Sequence, residues 1–265
     1  MSVLLVIPAR YESTRYPGKP LVALRGASGQ AVTLVERTWR AALAVSGVDH
    51  VIVATDDERI REHASGFGAD VVMTSTSCRN GTERCAEALT LSGSYDIVVN
   101  LQGDAPLTPA WFVEGLIAAL EERRDARVAT PVLRCDGRAL EALRNDRRMG
   151  RVGGTTAVFD EAGRALYFSK EVVPFTAESY PENGPTPVFH HVGVYAYRSA
   201  ALADYVAWQP GRYELLEGLE QLRFIENGVP VLCVEVHARG RQFWELNNPS
   251  DVPRLEAMLA EMGMD

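Results

Sequence analysis

Residues 3–21 read VLLVIPARYESTRYPGKPL, an apolar run that passes directly into a charged, turn-rich loop. The run Val3–Ile7 has the length and the β-branched composition of a buried strand. In parallel α/β sheets, ligands bind beyond the carboxyl ends of the strands. The cations Arg10, Arg15 and Lys19, set around a rigid Pro-Gly, therefore predict a phosphate-binding loop. A solvated basic turn is the plainer alternative. The loop matches neither the Walker A nor the GxGxxG pattern.

The first half of the chain alternates between strand-length and helix-length patterns. Further strands are predicted at Val51–Thr55, Asp70–Met73 and Asp96–Leu101. Helices are predicted at 31–46, 57–66 and 82–92, where apolar residues recur on one face. Strands that alternate with helices form right-handed βαβ units. The expected fold is therefore α/β, with a Rossmann-like, mostly parallel sheet.

The second half changes character. From about 148 to 200 the chain has Gly-rich turns, the strand-like Thr155–Phe159, a polar loop at 176–187 and the strand-like Val192–Arg198. This pattern predicts a small antiparallel insertion or flap within one domain that spans 1–265. A helix at 214–226, a strand at Val231–Val236 and a terminal helix at 250–262 complete the expected elements.

Composition excludes several classes of function. The chain has 265 residues, 46% of them hydrophobic, and a formal net charge of -8 with scattered Lys and Arg, which argues against nucleic-acid binding. No segment reaches transmembrane length, and the first apolar run is too short for a signal peptide. The four cysteines form no CxxC pair and are expected to be reduced thiols. We therefore expect a cytoplasmic protein without a membrane partner.

Three further motifs follow predicted strands. Gln102-Gly103-Asp104 ends a strand, where a carboxylate can hold Mg²⁺ against phosphate, since Mg²⁺ takes one or two protein carboxylates. A turn-capping Asp is the alternative. Residues 80–84, NGTER, contain a helix-start signal with Asn or Thr as N-cap. Backbone and side-chain groups at the same helix N-terminus could recognise a cytosine base. The pair Asp56-Asp57 is explained mostly by an Asp N-cap at the start of the next helix, so we assign it no role in chemistry.

Polar side chains also gather on a predicted strand in the second half. His191, Gly193 and Tyr195 alternate with valines, so they share one face. A lone His on a strand is usually structural, but a Gly that leaves room and a Tyr hydroxyl suit a polyol pocket. By itself, the pair Glu220-Gln221 is an ordinary solvated helix face.

Six motifs in order resemble those of the CMP-Kdo synthetases, the 3-deoxy-manno-octulosonate cytidylyltransferases. They are the loop IPAR-x-x-STR-x-PGKPL at 7–21, ATDD at 54–57, NGTER at 80–84, NLQGD at 100–104, HVGVYAYR at 191–198 and LEQLR at 219–223. The resemblance covers nearly the whole chain. It implies a fold of the nucleotide-diphospho-sugar transferase type and a homodimer whose interface uses the antiparallel insertion. It also implies Mg²⁺-dependent transfer of CMP from CTP to an acidic sugar, with release of pyrophosphate.

The resemblance also assigns roles to residues. The catalytic set would be Arg10, Arg15, Lys19 and Asp104. Substrate contacts would come from Ala9, Ser13, Asn80, Gly81, Thr82, Arg84, Gln102, Lys170, His191, Tyr195, Glu220 and Gln221. The metal ligands would be Asp104 and Asn247.

Several positions depart from the family pattern. Asn247 stands where relatives usually carry an Asp, and Lys170 stands where they carry an Arg. A neutral amide attracts Mg²⁺ less than a carboxylate, and Lys lacks the bidentate fork of Arg. Ser75 and Cys78 replace an Arg and a His. Two alternatives therefore stay open: a different acidic acceptor (an amino-Kdo, another ulosonic acid or a phosphonate), or a non-catalytic protein that binds CTP or a CMP-sugar.

Overall fold

The structure is a computed structural model that describes residues 1–13, 16–151, 154–241, 245–246 and 248–265. The chain divides into two compact units. Unit 1 comprises Met1–Glu114 and Ala238–Asp265, and unit 2 comprises Gly115–His237.

Unit 1 is built on parallel strands. Its strands in chain order are β1 (Val3–Ala9), β2 (Ala23–Arg25), β3 (Ala31–Thr33), β4 (His50–Thr55), β5 (Asp70–Met73) and β6 (Ile97–Leu101). The sheet order is β5-β4-β1-β6, with every pair parallel, while β2 and β3 form a separate antiparallel hairpin. The residues Val3–Ile7 of β1 are buried, because a parallel strand between two others is covered on both faces.

Three helices connect these strands: α1 (Leu34–Leu43), α2 (Glu58–Gly66) and α3 (Gly81–Ser92). Asp57 caps α2, where its side chain accepts a hydrogen bond from the Arg59 N–H, as the sequence predicts. Because the connections are helical, β1, β4 and β6 all direct their carboxyl ends to the same edge of the sheet.

Unit 2 is mainly antiparallel. The helices that follow in the chain are α4 (Ala110–Glu122), which starts in unit 1, α5 (Gly137–Arg148), α6 (Ser199–Ala207), α7 (Arg212–Glu217) and α8 (Leu222–Glu226). The strands are β7 (Val128–Asp136), β8 (Thr155–Phe159), β9 (Ala165–Ser169), β10 (Pro185–His191), β11 (Val194–Arg198) and β12 (Val231–Glu235). Both β10 and β11 pair antiparallel with β7, β12 pairs parallel with β7, and β8 joins β10 to β9.

The C-terminal segment belongs to unit 1. Its helix α9 (Val252–Glu261) packs Leu255 and Leu259 into a core cluster with Leu24 of the hairpin and Leu34 of α1. The last helix therefore stabilises the base of the β2–β3 hairpin through apolar burial.

The α/β fold with a largely parallel sheet is confirmed, with local corrections. The predicted helix 31–46 begins at Leu34, since 31–33 pairs with β2 instead. The predicted helix 214–226 is two short helices, because α7 ends at Glu217 and the next residue, Gly218, adopts a φ of 62°. The loop predicted at 176–187 ends earlier, where β10 begins at Pro185. The strand predicted at Val192–Arg198 begins at Val194.

The four cysteines are free thiols, and three of them are buried. Burial raises the pKa of Cys233 to about 12, so this thiol stays protonated. Within the part of the chain that the structure describes, no helix combines the length and the apolar character that crossing a bilayer requires.

Candidate active site

The loop that follows β1 is closed by a backbone hydrogen bond. The Gly18 N–H donates to the Tyr11 carbonyl at 2.9 Å. Gly18 has a φ of 70°, and a Cβ at this position would lie 3.1 Å from the Tyr11 ring, so the turn requires glycine. The Arg59 guanidinium stacks 3.3 Å from the centroid of the Tyr11 ring. The loop is therefore held from inside by Gly18 and from α2 by Arg59.

The predicted phosphate-binding residues take different positions around this loop. Ala9 is the last residue of β1 and is buried, whereas Arg10 is exposed beyond it. The Ser13 hydroxyl accepts a hydrogen bond from the Tyr16 N–H at 3.4 Å. Arg15 lies outside the described residues.

Lys19 and Asp104 form an ion pair. The Lys19 Nζ donates to the Asp104 Oδ2 at 2.5 Å, with side chains 16% and 25% exposed. Asp104 follows β6 and Lys19 follows β1, so the parallel sheet brings the two strand ends together. The Leu246 N–H donates to the Asp104 carbonyl oxygen at 3.0 Å. The C-terminal segment thus approaches Asp104 at the residue before Asn247, which itself lies outside the described residues.

The N-terminus of α3 lies against the end of β6. The Asn80 Oδ1 accepts from the Glu83 N–H at 2.9 Å, so Asn80 is the N-cap, one of the two residues predicted for that role. A Cβ at Gly81 would lie 2.7 Å from the Gln102 Nε2 and 3.0 Å from the Asn100 Nδ2. Glycine at position 81 therefore lets the helix start approach the two amides.

Arg84 is buried, and its charge is directed into the protein. Its guanidinium donates to the Asp56 Oδ2 at 2.7 Å and to the Thr74 hydroxyl at 2.5 Å, and it is 3% exposed. This pair ties α3 to the residues that follow β4 and β5. Thr82 is also fully buried. The assignment of Arg84 and Thr82 to substrate contacts stays a prediction.

Asn100 belongs to the NLQGD motif, but the sequence analysis predicted no role for this residue. Its side chain is fully buried, and neither amide atom has a hydrogen-bond partner among the described residues. A buried amide without partners costs about 1–3 kcal/mol. Asn100 lies beside Gly81 and two residues before Gln102. This buried amide is therefore near the carboxyl end of β6, close to the other polar residues of the NLQGD motif.

The second group of predicted residues lies in unit 2. The His191 ring is buried, with ring centroids 4.9 Å from Phe168 and 5.6 Å from Tyr195. Burial, with a smaller effect from His190, lowers the pKa of His191 to about 3, so its imidazole is neutral. The Tyr195 hydroxyl donates to the Gln221 Oε1 at 3.0 Å. The rings of His191 and Tyr195 lie together, but they belong to two strands, β10 and β11, so the prediction that they share one face of a single strand is wrong.

Gln221 is buried rather than solvated. It is 1% exposed, and its Nε2 has no hydrogen-bond partner among the described residues. The break after α7 places Glu220 and Gln221 in a turn, where the Tyr205 hydroxyl donates to the Glu220 carbonyl at 3.2 Å. The Gln221 amide therefore keeps two donor hydrogens for a ligand or a water.

Glu217 holds the end of β9 in place. Its carboxylate accepts from the Ser169 hydroxyl at 2.8 Å and from the Lys170 N–H at 2.9 Å. A Cβ at Gly218 would lie 3.0 Å from the Lys170 Nζ, so the ammonium reaches the turn that leads to Gln221. Glu217 is a supporting residue that the sequence did not reveal, because 47 residues separate it from Lys170.

The structure thus gathers the predicted residues into two groups. In unit 1, Lys19 contacts Asp104, and Gly81 lies against Gln102. In unit 2, His191, Tyr195 and Gln221 lie together, with Lys170 at the same turn. The role of each residue in chemistry stays a prediction.

Comparisons with known proteins agree on one class. A family model described as "Cytidylyltransferase" matches residues 4–235. The chain is 45% identical over 264 residues to the 3-deoxy-manno-octulosonate cytidylyltransferase of Maricaulis maris, with 99% of each chain covered. It is 40% identical to the mitochondrial enzyme of that name from Arabidopsis thaliana, with 99% of this chain and 84% of the relative covered.

Among solved structures, a CMP:2-keto-3-deoxy-manno-octonic acid synthetase complexed with CTP superposes with a TM-score of 0.83 at 30% identity. The match covers 99% of this chain and 100% of that one. The fold and motifs thus define a cytidylyltransferase. More narrowly, the chain belongs to the 3-deoxy-manno-octulosonate cytidylyltransferase, or CMP-Kdo synthetase, family.

Proposed function

We propose that this chain transfers CMP from CTP to the anomeric hydroxyl of Kdo, releasing pyrophosphate. The observation that carries the proposal is the pairing of Lys19 with Asp104 at the carboxyl ends of β1 and β6, in a chain whose 45% identical relative is named for this activity. A cation and a carboxylate at adjacent strand ends can bind a triphosphate and its counter-ion.

The reaction is an in-line displacement at the α-phosphorus of CTP. The sugar hydroxyl oxygen attacks the α-phosphorus and loses its proton to solvent. The bond between the α-phosphorus and the oxygen that bridges to the β-phosphate breaks, and pyrophosphate leaves with that electron pair. Arg10, Arg15 and Lys19 hold the phosphates and stabilise negative charge on the leaving group. The rate enhancement comes from positioning and charge stabilisation rather than from a covalent intermediate.

Residues of unit 2 supply the hydrogen bonds that an acidic sugar requires. His191 is neutral, Tyr195 lies beside it, and the Tyr195 hydroxyl is hydrogen-bonded to Gln221. The Gln221 Nε2, which has no hydrogen-bond partner within the described part of the chain, is a donor for a sugar oxygen. Lys170 provides positive charge for the sugar carboxylate, as a point charge in place of the Arg that relatives carry.

Asp104 is suited to hold Mg²⁺. Its carboxylate already pairs with a cation, the Lys19 ammonium, at 2.5 Å. Among the described residues, which omit Asn247, no group of three His, Cys, Asp or Glu side chains is placed to bind a metal. Mg²⁺ needs one or two protein carboxylates and takes its other ligands from phosphate and water, so Asp104 fits as the carboxylate ligand. Asn247 is the second ligand that the family resemblance implies. A bound Mg²⁺ would neutralise phosphate charge and lower the pKa of the attacking hydroxyl.

The homodimer is also part of the proposal. Unit 2 exposes large apolar side chains on α7, namely Tyr213, Leu215 and Leu216, and in the predicted insertion, namely Leu166 and Phe175. Leu215, Leu216 and Phe175 are 70%, 71% and 90% exposed. Surfaces of this kind commonly mark protein interfaces. Light scattering should give the mass of a dimer, and Leu216→Glu should shift it toward a monomer. A wild-type chain that is monomeric at micromolar concentration would exclude the homodimer.

The cytoplasm is the compartment where we place the reaction, because four reduced thiols suit a reducing environment. This placement is tested by fractionation of cells that express the natural protein, which should appear with cytoplasmic markers. Recovery from an exported fraction would contradict it.

A panel assay tests the function. Pyrophosphate release is measured with CTP, UTP, ATP and GTP, each with Kdo, an amino-Kdo, another ulosonic acid and a phosphonate. The combination of CTP with Kdo should be fastest and should stop in excess EDTA. Equal release from ATP or GTP would exclude a cytidylyltransferase, and a faster rate with another acid would establish the different-acceptor alternative, which Lys170 favours. No release from any combination, with CTP still bound, would indicate a non-catalytic binding protein.

A further inference from the structure

Two strands of unit 2 run along β7 with a bulge between them. His191 of β10 is opposite Val132, and Ala196 of β11 is opposite Ala129. Four residues, 192–195, therefore stand opposite two residues, 130–131. Such bulges leave backbone groups without their ladder partners, and they commonly redirect a side chain next to an active site.

Thr130 occupies the gap that the bulge leaves. Its hydroxyl lies 2.8 Å from the Val194 carbonyl oxygen and 3.2 Å from the Val192 carbonyl oxygen. The same hydroxyl lies 2.9 Å from the His191 Nε2. Thr130 is fully buried, so it acts on a ligand through His191 rather than by contact.

The proton count of these contacts determines the tautomer of His191. The Thr130 hydroxyl has one proton, and carbonyl oxygens can only accept. If that proton were directed to Nε2, the hydroxyl oxygen would face two carbonyl oxygens at 2.8 and 3.2 Å with lone pairs on both sides. The proton is therefore donated to the carbonyls, and the hydroxyl oxygen accepts from a His191 Nε2–H.

We propose that Thr130 is a positioning residue that holds the neutral His191 ring as its Nε2–H tautomer, so that Nδ1 accepts a hydrogen bond from a hydroxyl of the sugar substrate. The part that concerns the sugar rests on the proposed function. Among the described residues, Nδ1 of His191 has no hydrogen-bond partner. The pKa near 3 keeps the ring uncharged, so the two nitrogens differ in role at every working pH. Phe168 and Tyr195 pack against the ring and fix its plane.

The tautomer can be observed directly in the wild-type protein. Protein labelled with ¹⁵N-histidine is studied by long-range ¹H–¹⁵N correlation NMR at pH 7, and the His191 signals are assigned by their loss in His191→Gln. The expected pattern is that of a neutral Nε2–H ring. An Nδ1–H pattern, or averaged signals from two exchanging tautomers, would overturn the proposal.

Kinetics of three variants test the consequence for the substrate. Thr130→Val removes the hydroxyl at nearly constant volume and should raise the KM for Kdo about tenfold, which corresponds to about 1.4 kcal/mol, with the KM for CTP unchanged. Thr130→Ser keeps the hydroxyl and should behave as wild type. Thr186→Val is the matched control, because Thr186 is a buried β10 residue whose hydroxyl donates to the Cys135 carbonyl at 2.9 Å, far along the strand from His191.

The outcomes separate this proposal from the proposed function. A Thr130→Val protein with the wild-type KM for Kdo, or a Thr130→Ser protein equally impaired, would overturn the positioning role. If Thr130→Val does not fold, the wild-type tautomer and the Thr130→Ser kinetics decide the question. A chain that does not use Kdo but shows the Nε2–H ring would refute the substrate and support the role of Thr130 in fixing the tautomer.

Discussion

Replacing Asp104 by Asn removes one negative charge and keeps the shape of the side chain. In the structure, the Asp104 Oδ2 accepts from the Lys19 Nζ at 2.5 Å, and both side chains remain partly exposed. The amide oxygen of the variant can still accept one hydrogen bond from Lys19, but it cannot neutralise the ammonium or bind Mg²⁺ with a full charge.

The expected magnitudes differ sharply between stability and activity. A partly exposed ion pair contributes about 0–1 kcal/mol to stability, so Asp104→Asn should unfold within a few degrees of wild type. Loss of one charge contact in the transition state costs about 3 kcal/mol, or roughly a hundredfold in rate. The variant should therefore be folded and nearly inactive.

The assay is continuous pyrophosphate release with saturating CTP, Kdo and Mg²⁺, together with a thermal melt. Asp125→Asn is the matched control: its carboxylate also pairs with a cationic side chain, in this case Arg123 at 3.1 Å, but it is 74% exposed. The control should keep wild-type activity. If Asp104→Asn turns over within a few-fold of wild type, Asp104 is not the metal ligand and its charge is not needed in the transition state.

Three further substitutions probe the helix start, the metal and the buried imidazole. Gly81→Ala should lower kcat/KM about tenfold and reduce stability by about 1–3 kcal/mol, because the added Cβ would lie 2.7 Å from the Gln102 Nε2. Unchanged steady-state kinetics would show that catalysis does not require Gln102 to hold its position. Asn247→Asp should lower the half-saturating Mg²⁺ concentration, since Leu246 is hydrogen-bonded to Asp104 and a second carboxylate would act on the same ion. Mg²⁺ titrations that superimpose for the variant and the wild type would instead support a turn-capping role for Asn247. His191→Gln should make the free energy of unfolding depend less on pH in acid. In the wild-type protein His191 stays unprotonated down to its lowered pKa of about 3, whereas the same side chain in the unfolded chain takes up a proton below pH 6.5. The wild-type free energy of unfolding therefore falls by up to about 1.4 kcal/mol per pH unit between pH 6.5 and 3, and the variant lacks this contribution. Urea unfolding at pH 6.5 and 5 measures that slope, and equal slopes for the two proteins would contradict the buried neutral ring.

The short β-branched strands were the most predictable part of the fold. The bounds of β5 and β8 match the sequence prediction residue for residue. Short β-branched runs between turn residues carry a strong local signal, since few other structures bury them. The strand-end position of Lys19 and Asp104 followed from the same signal, because parallel strands bring their carboxyl ends to one edge.

The errors arose where contacts distant in sequence override a local pattern. Residues 31–33 fit a helical period, but they pair with 23–25 in a hairpin covered by the C-terminal helix. The helix predicted at 214–226 breaks at Gly218, a residue whose capping preference could have been weighed against periodicity. This break explains why Gln221 is buried and not part of a solvated helix face.

The residues that hold the predicted site residues in place could not be predicted from the sequence. Thr130 lies 61 residues before His191, and Asp56 lies 28 residues before Arg84. Spacing within a motif shows which side chains share a strand or a helix start, but not which buried hydroxyl or carboxylate holds them. These partners are determined by strand register and by the bulge at 192–195, which require the tertiary structure.

Product analysis of a single reaction mixture decides whether the chain makes a CMP-sugar. The chain is incubated with CTP, Kdo and Mg²⁺, and the phosphorus species are followed by ³¹P NMR with mass spectrometry of the nucleotide product. We expect equal amounts of pyrophosphate and of a new phosphodiester with the mass of CMP-Kdo. Intact CTP, or release of pyrophosphate with free CMP and no sugar adduct, would contradict the transfer of CMP to Kdo.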